Sequence, residues 1–306
     1  MEENSLNAPL LEISLDYYDE DNGSLISDAL SHHTSLSWRL REEWFLFKAQ
    51  WHWLCINALV LIYGTMCVFL NLAFYRMEIP VAVKRLKDVG HEIIPKLTLD
   101  VESTQLVDLP MNLIILSLAV MMVFLFVNNS TAGKRNPKPH FVNVVRRGSS
   151  VVAIGHSLRA CTYLSTSVPG SSDHCLAGGN PERFRPSSLA ECFYSIANPY
   201  HNCGDLMFSG HLLFTITVVL IINQYGESSF WISHRQNNWV VGVLTAFTLI
   251  QTLLILAARH HYTSDVVVAW YFTPLLWYYY NTVIHPRDLK PDLSQIARDV
   301  IGQVDL

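Results

Sequence analysis

Charged side chains are scarce in this 306-residue chain. They make up 15% of it, against about a quarter in an ordinary soluble domain. With 50% hydrophobic residues and 8 Trp, that deficit argues against a water-soluble globule. An excess of basic residues is missing too. With 21 Lys+Arg against 26 Asp+Glu the formal net charge is −5, so the basic face that nucleic-acid binding needs is absent. The six cysteines are too few for a small disulfide scaffold. Residues 1–35 are polar and acidic and lack the apolar core of a cleavable signal peptide, so the first apolar run is expected to act as its own insertion signal. No internal repeat and no extended low-complexity tract is evident.

What the chain does contain is a series of long apolar runs. Ala49 to Tyr75, Leu109 to Gly133, Leu206 to Gly226, Gln236 to Ala258 and Val266 to Ile284 carry no Lys, Arg, Asp or Glu. Each approaches or exceeds the roughly 20 residues that cross a bilayer as a helix. A sixth segment, Phe141 to Thr166, is apolar but holds Arg146, Arg147 and Arg159. An arginine within a span faces the bundle interior or a water-filled cavity; the plainer reading is a buried helix of a soluble core. The expected fold is therefore an all-α integral membrane protein, a bundle of six transmembrane helices. Residues 1–45 form a disordered acidic cytosolic tail, 46–285 the membrane domain and 286–306 a cytosolic C-terminal tail. The tail carries eight acidic residues before Arg39, a composition that favours disorder; its Pro9-Leu10-Leu11 is a sorting signal or simply part of a solubilising segment.

Six spans put both termini on one side. Lys134, Arg135 and Lys138 mark their loop as cytosolic, as do Arg39, Arg41 and Lys48 before the first span and Arg287 and Lys290 after the last. Arg76, Lys84, Arg85, Lys87 and Lys96 load the opposite face and run against this rule. On balance the loops 76–108, 165–205 and 259–263 are lumenal or extracellular.

Two clusters of chemically capable residues sit at span ends on that face. The first is Cys203-Gly204-Asp205-Leu206-Met207-Phe208-Ser209-Gly210-His211. The second is Arg259-His260-His261-Tyr262-Thr263-Ser264-Asp265. His261 and Asp265 are four apart, so on a helix they share a face and the carboxylate can fix the imidazole tautomer. Ser209 and Gly210 let donors approach an anion at a helix start. Two histidines, one braced by an acid, suit phosphoryl transfer. One attacks phosphorus; the other protonates the departing alkoxide and later takes a proton from the acceptor. Arg147 and Arg159 are candidate phosphate ligands. They lie about 18 Å apart along a helix, and only Arg159 falls near the lumenal end. Asp205 is either a helix N-cap or a polar member of the site. A zinc site from two His and an Asp is the competing metal reading. His260 reads as a packing or interfacial residue, and the run Trp277-Tyr278-Tyr279-Tyr280 as an interfacial aromatic belt.

At these residues the chain resembles the sphingomyelin synthase family of the lipid phosphatase/phosphotransferase superfamily. Cys203 to His211 matches that family's C-G-D-x-x-x-S-G-H motif, and His261 to Ala269 its H-Y-T-x-D-V-x-x-A motif. Arg159-Ala160-Cys161-Thr162 and Val168-Pro169-Gly170 to Cys175 match part of a second motif, while Asp108-Leu109-Pro110 keeps little of the first. The resemblance covers roughly residues 106–285. It implies a lipid phosphatase-like catalytic core that moves a phospho-head group from a glycerophospholipid donor to ceramide, releasing diacylglycerol. His211, His261 and Asp265 are then catalytic. Asp205, Ser209, Gly210, Arg159, Arg147 and Tyr262 support the site or bind phosphate, and no metal or other cofactor is expected. The single Ser before His211 favours phosphocholine as the head group, with phosphoethanolamine and phosphoinositol as alternatives; the Pro169-Gly170…His174-Cys175 stretch resembles plant-like enzymes. The family points to a Golgi membrane, with the endoplasmic reticulum or plasma membrane as alternatives. The rival readings are a lipid phosphate phosphatase, in which water replaces ceramide, and a non-enzymatic transporter or ceramide-binding protein. One or two disulfides among Cys161, Cys175, Cys192 and Cys203 are expected, with the pairing open.

Overall fold

A computed structural model describes residues 36–77, 85–97, 104–127, 139–176, 185–197, 202–230 and 232–286. The first 35 residues, the basic loop at Lys134, Arg135 and Lys138, and the C-terminal tail from residue 287, with Arg287 and Lys290, lie outside these, so the readings made for them are not addressed by the structure.

Among the described residues the chain is all helical. Helix α1 (Leu36–Ala58) continues through a π-helical stretch (Leu59–Phe69) into α2 (Leu70–Arg76). The short α3 (Val89–Ile93) follows, then α4 (Thr104–Val127), α5 (Phe141–Ser165), α6 (Gly210–Phe230), α7 (His234–Ala257) and α8 (Thr263–Tyr279). A π-helical turn, Tyr280–Ile284, extends α8. The first helix starts at Leu36, inside the segment expected to be tail, and Arg39 already ties it to the bundle by donating to the carbonyl of Pro139.

Arg39–Arg76, Val107–Leu125 and His234–Ala257 are helical stretches long and apolar enough to cross a membrane. They expose large aliphatic side chains outward, among them Leu59, Ile62, Val123 and Leu253. Three further long helices complete the set of apolar segments read from the sequence, but they are more polar or shorter. The reason lies in their position. Helix α6 is the hub, packed by α4, α5, α7 and α8, so protein rather than lipid covers it. Its Leu212, Leu213 and Ile222 are fully enclosed. Helix α5 is clamped between α6 and α1, and polar pairs stitch its α1 seam: Gln50 to Asn143 at 2.8 Å, and Asn57 to Ser150 at 2.8 Å. Hydrogen bonds of this kind fix helix register where hydrophobic burial gives little preference.

Close packing at two glycines positions the site. A Cβ on Gly155 would sit 2.7 Å from Leu213, and one on Gly204 would sit 2.6 Å from the backbone of Ala73. The first lets α5 approach α6; the second seats the 202–209 loop against α2. Of the four cysteines expected to be candidates for oxidation, Cys175 and Cys203 form a disulfide, tying the loop after α5 to the loop before α6. Cys161 and Cys192 are free thiols.

Candidate active site

The start of α6 and the start of α8 converge at one end of the bundle. There the rings of His211 and His261 lie with centroids 6.3 Å apart, inclined at 69°. Nothing in local sequence requires this, since fifty residues and the whole of α7 intervene. It follows from the shared packing of α7 and α8 on α6 and from two backbone features at the loops. Arg259 takes a left-handed conformation (φ 61°) just past α7, where the N–H of His260 bonds back to Ile255 and ends the helix in the manner usually reserved for glycine. Met207 is also left-handed (φ 81°), and its N–H donates to Asp265 Oδ1 at 3.0 Å.

Asp265 is the knot of the site. It is 1% exposed. Its Oδ2 accepts from His261 Nδ1 at 3.1 Å and from the N–H of Tyr262 at 3.2 Å; its Oδ1 accepts from Met207 and from the Ser264 hydroxyl. A carboxylate oxygen only accepts, so the proton between Asp265 and His261 sits on Nδ1 and leaves the Nε2 of His261 with its lone pair. Backbone completes the junction, with the N–H of Ser209 bonded to the carbonyl of Asp265.

Beneath the histidines lies Arg159. It is 3% exposed, its Nε donates to the carbonyl of Phe208 at 2.5 Å and a terminal nitrogen forms an ion pair with Asp205. The guanidinium is pressed against the first residue of α6: a Cβ on Gly210 would lie 3.0 Å from its Cζ. Ser209 is fully buried, and its Oγ has no partner. An unbonded hydroxyl, the unpaired N–H groups of a helix start and a buried guanidinium together make a cradle for a phosphate oxygen. Asp205 precedes the helix start by five residues and is no N-cap; it is the counter-ion of Arg159. Burial pushes its carboxyl above the usual carboxylate range, against the pull of Arg159. Burial likewise lowers His260 to about 4, keeping it neutral beside the pair.

Two expected site residues stand elsewhere. Arg147 hydrogen-bonds Asn281, near the opposite end of the bundle; the helical rise over twelve residues, about 18 Å, carries it out of reach of the histidines. Tyr262 is 3% exposed and its hydroxyl binds loops: it donates to Pro169 and accepts from the N–H of Leu86. It anchors the site without facing the cleft. Other residues join that sequence reading left out. Asp108 lies 3.9 Å from His211; its only signal was a fragment of a degraded motif. Segment 85–97 packs over the histidine loop. Asp88 accepts from the N–H of Thr263 at 2.8 Å and its hydroxyl at 2.6 Å, and Arg259 donates to the carbonyls of His91 and Ile94. No periodicity marks this segment. Among the described residues the one cluster with metal-ligand geometry is His174, Cys175 and Cys203, and its two sulfurs are joined in the disulfide.

Two histidines, one braced by an acid, over a buried arginine are an arrangement suited to phosphoryl transfer. Comparison with known proteins narrows it. Residues 202–282, which carry both histidines, match the PAP2 superfamily C-terminal family. Phosphatidylinositol:ceramide inositolphosphotransferase 3 of Arabidopsis thaliana is 36% identical over 109 residues, 35% of this chain and 35% of that protein. Phosphatidylinositol:ceramide inositolphosphotransferase 2 of the same plant is 36% identical over 104 residues, 33% and 30% of the two chains. The Oryza sativa subsp. indica phosphatidylinositol:ceramide inositolphosphotransferase is 30% identical over 115 residues, 37% and 32% of the two. The chain thus spans about a third of the length of the curated relatives it matches. Over residues 202–282 the chain is similar to the PAP2 superfamily C-terminal family, and over about a third of its length to ceramide inositolphosphotransferases.

Proposed function

We propose that this protein is a ceramide phosphotransferase that moves a phospho-head group from a glycerophospholipid to the primary hydroxyl of ceramide and releases diacylglycerol. The observation that carries this reading is the His211–His261 pair, 6.3 Å apart, with Asp265 on the far nitrogen of His261. His261 Nε2 attacks phosphorus and the bond to the diacylglycerol oxygen breaks, with His211 supplying the proton to that oxygen. In the second half the ceramide hydroxyl gives its proton to His211 and attacks phosphorus, and the P–N bond breaks. Arg159, the Ser209 hydroxyl and the first N–H groups of α6 hold the non-bridging oxygens, whose charge grows in the transition state. No step calls for a metal.

The relatives are named for phosphatidylinositol, which supports phosphoinositol as the transferred group; the Ser209-Gly210-His211 form supports phosphocholine. Six long helices support a six-span topology; the loop charges support cytosolic termini and an active site on the lumenal or extracellular side, and the family resemblance supports a Golgi location. Membranes containing the protein, given labelled ceramide and phosphatidylinositol, phosphatidylcholine or phosphatidylethanolamine in separate reactions, should form one head-grouped ceramide with matching diacylglycerol. Release of free phosphate without a ceramide product would instead favour a phosphatase.

A further inference from the structure

A groove of about 310 Å³ runs between α1, α5 and the π-helical turn after α8, from Leu158, the residue before Arg159, to His285. Its volume falls at the lower end of small-molecule sites, about 300–1,000 Å³. Trp53, Ile56, Ile154 and Leu158 wall it, no acidic side chain lines it, and His285 closes its lower end. Its floor on α5 is small: Ser150, Ala153 and Ser157 follow helical spacing on one stripe. One turn below Ser150 the same stripe carries Arg146, about 20 Å along α5 from Arg159.

Arg146 is the unexplained group. It is 5% exposed, its Nε has no hydrogen-bond partner, and no acid among the described residues pairs with it. Glu43, the buried acid at this end, is spent on Arg39, His140 and the N–H groups of Phe141 and Val142. Leaving a guanidinium buried without an anion is costly, and no described acid supplies one to Arg146. His285 stands over the site, its ring edge-on to Trp53 at 6.3 Å. Burial, then the charges of Arg146 and Arg147, hold its imidazole below the usual value, which marks how close those cations lie. Arg147 itself is engaged by Asn281.

We propose that this groove binds an anionic phospholipid, with one acyl chain lying along Ile56, Ile154 and Leu158 and its phosphate against Arg146 and His285. The groove opens sideways through Ile56, Leu158 and Ile284, all exposed, which is where hydrocarbon lies around a membrane helix. A wholly apolar chain would leave the cation unanswered, and a soluble anion would leave the apolar wall unfilled. A phospholipid with a negative head answers both. The site is distinct from the two-histidine cleft and stands whether or not the transferase reading does.

Trp53 is a built-in reporter. The full-length protein would be reconstituted in phosphatidylcholine vesicles containing a minor fraction of chain-brominated phosphatidic acid or, in parallel, chain-brominated phosphatidylcholine. The emission component lost in Trp53→Phe isolates the groove. Bromine on the anionic lipid should quench that component about fivefold more effectively, the preference given by roughly one cation at the surface of an anionic lipid. Arg146→Gln should abolish the preference and Arg146→Lys retain most of it. Equal quenching of the Trp53 component by the two lipids overturns the proposal. A preference that persists in folded Arg146→Gln overturns the assignment of the phosphate ligand. Loss of the preference in the presence of inorganic phosphate would assign the cation to a soluble anion and overturn the lipid reading.

Discussion

The imidazole of His91 grips the backbone of His261 across 170 positions of sequence: its Nε2 lies 3.0 Å from the His261 carbonyl oxygen. A carbonyl only accepts, so that nitrogen carries the proton. The His91 ring also lies against Tyr262, centroids 5.4 Å apart, and Gly90 is packed so tightly that a Cβ there would fall 2.3 Å from the Thr263 hydroxyl. The histidine proposed as nucleophile is thus held from two sides, by Asp265 on its ring and by His91 on its main chain.

Loss of the His91 donor should therefore cost turnover more than affinity. His91→Phe keeps the ring contact with Tyr262 and removes the hydrogen bond. Its kcat should fall about tenfold, in line with a misplacement of the reacting group, while KM stays nearly unchanged. His91→Gln, whose amide can still donate, should recover most of the loss. Steady-state kinetics on the three proteins decide it; a rise in KM alone would assign His91 to lipid binding instead.

Asp88 gives a pH signature. Burial opposes its ionisation, but the hydroxyl and N–H of Thr263 and the N–H of His91 outweigh it and hold the carboxyl below its ordinary 3.8. A carboxyl depressed on folding contributes stability that is fully present above the unfolded value and is lost as pH falls through the folded one. The thermal stability gap between wild type and Asp88→Asn should therefore be constant from neutral pH down to about 5 and close only below about 4. A gap that closes between pH 6 and 7 would trace to a histidine rather than to this carboxylate.

Gly210 separates the helix start from Arg159. Alanine there brings a Cβ to 3.0 Å of the guanidinium carbon, so the guanidinium must give by a few tenths of an ångström. The expected loss in kcat is about tenfold, below the roughly 10²-fold cost of a misplacement of about 1 Å. Expression and thermal stability should stay close to wild type, because the displaced atoms are the end of a long side chain. Activity within twofold of wild type would remove Arg159 from the chemistry.

How much of this was legible in sequence depends on the range over which each feature is encoded. The runs 203–211 and 261–269 announce themselves because the residues that act together are contiguous or one helical turn apart. Long apolar runs announce the helices for the same reason. Arg147 came in with the motif, although the helical rise already set it about 18 Å from Arg159, and the structure engages it with Asn281. Segment 85–97 was invisible: its charges were read as evidence on membrane orientation, whereas Arg85 and Lys96 are paired with Asp173 and hold one loop to another. The choice of Cys175 and Cys203 from four candidates, and the approach of Asp108 to His211, follow only from how the helices pack.

The disulfide should matter to loop order more than to insertion. It closes 28 residues and joins the loop that carries Pro169, the acceptor for Tyr262, to the strained turn before His211. Chain entropy alone makes such a bridge worth about 3–4 kcal/mol. Reduction, or Cys175→Ser, should lower the melting temperature and open the 166–176 loop to protease, with the protein still membrane-inserted. An unchanged digestion pattern after reduction would mean that the loop is held by Tyr262, Arg85 and Lys96 alone.

The sharpest test falls on Asp265. Asparagine is nearly the same shape, but its amide has one acceptor where the carboxylate has two. If its oxygen faces His261, its NH2 must point at the Met207 N–H, donor against donor, while the Ser264 hydroxyl can turn to accept. If it turns round, its NH2 faces Nδ1 of His261, which must then accept, moving the proton to Nε2 and blocking the lone pair needed for attack. Either arrangement disables the site without emptying it. Asp265→Asn should therefore lose about 10³–10⁴ in kcat, the scale of a wrong tautomer in a comparable acid–histidine pair, while binding ceramide as before. The same variant should also fail to accumulate an acid-labile phosphoprotein from labelled donor under rapid quench. If phosphoprotein still forms at the wild-type rate, the carboxylate does not set the tautomer and His261 is not the nucleophile it braces.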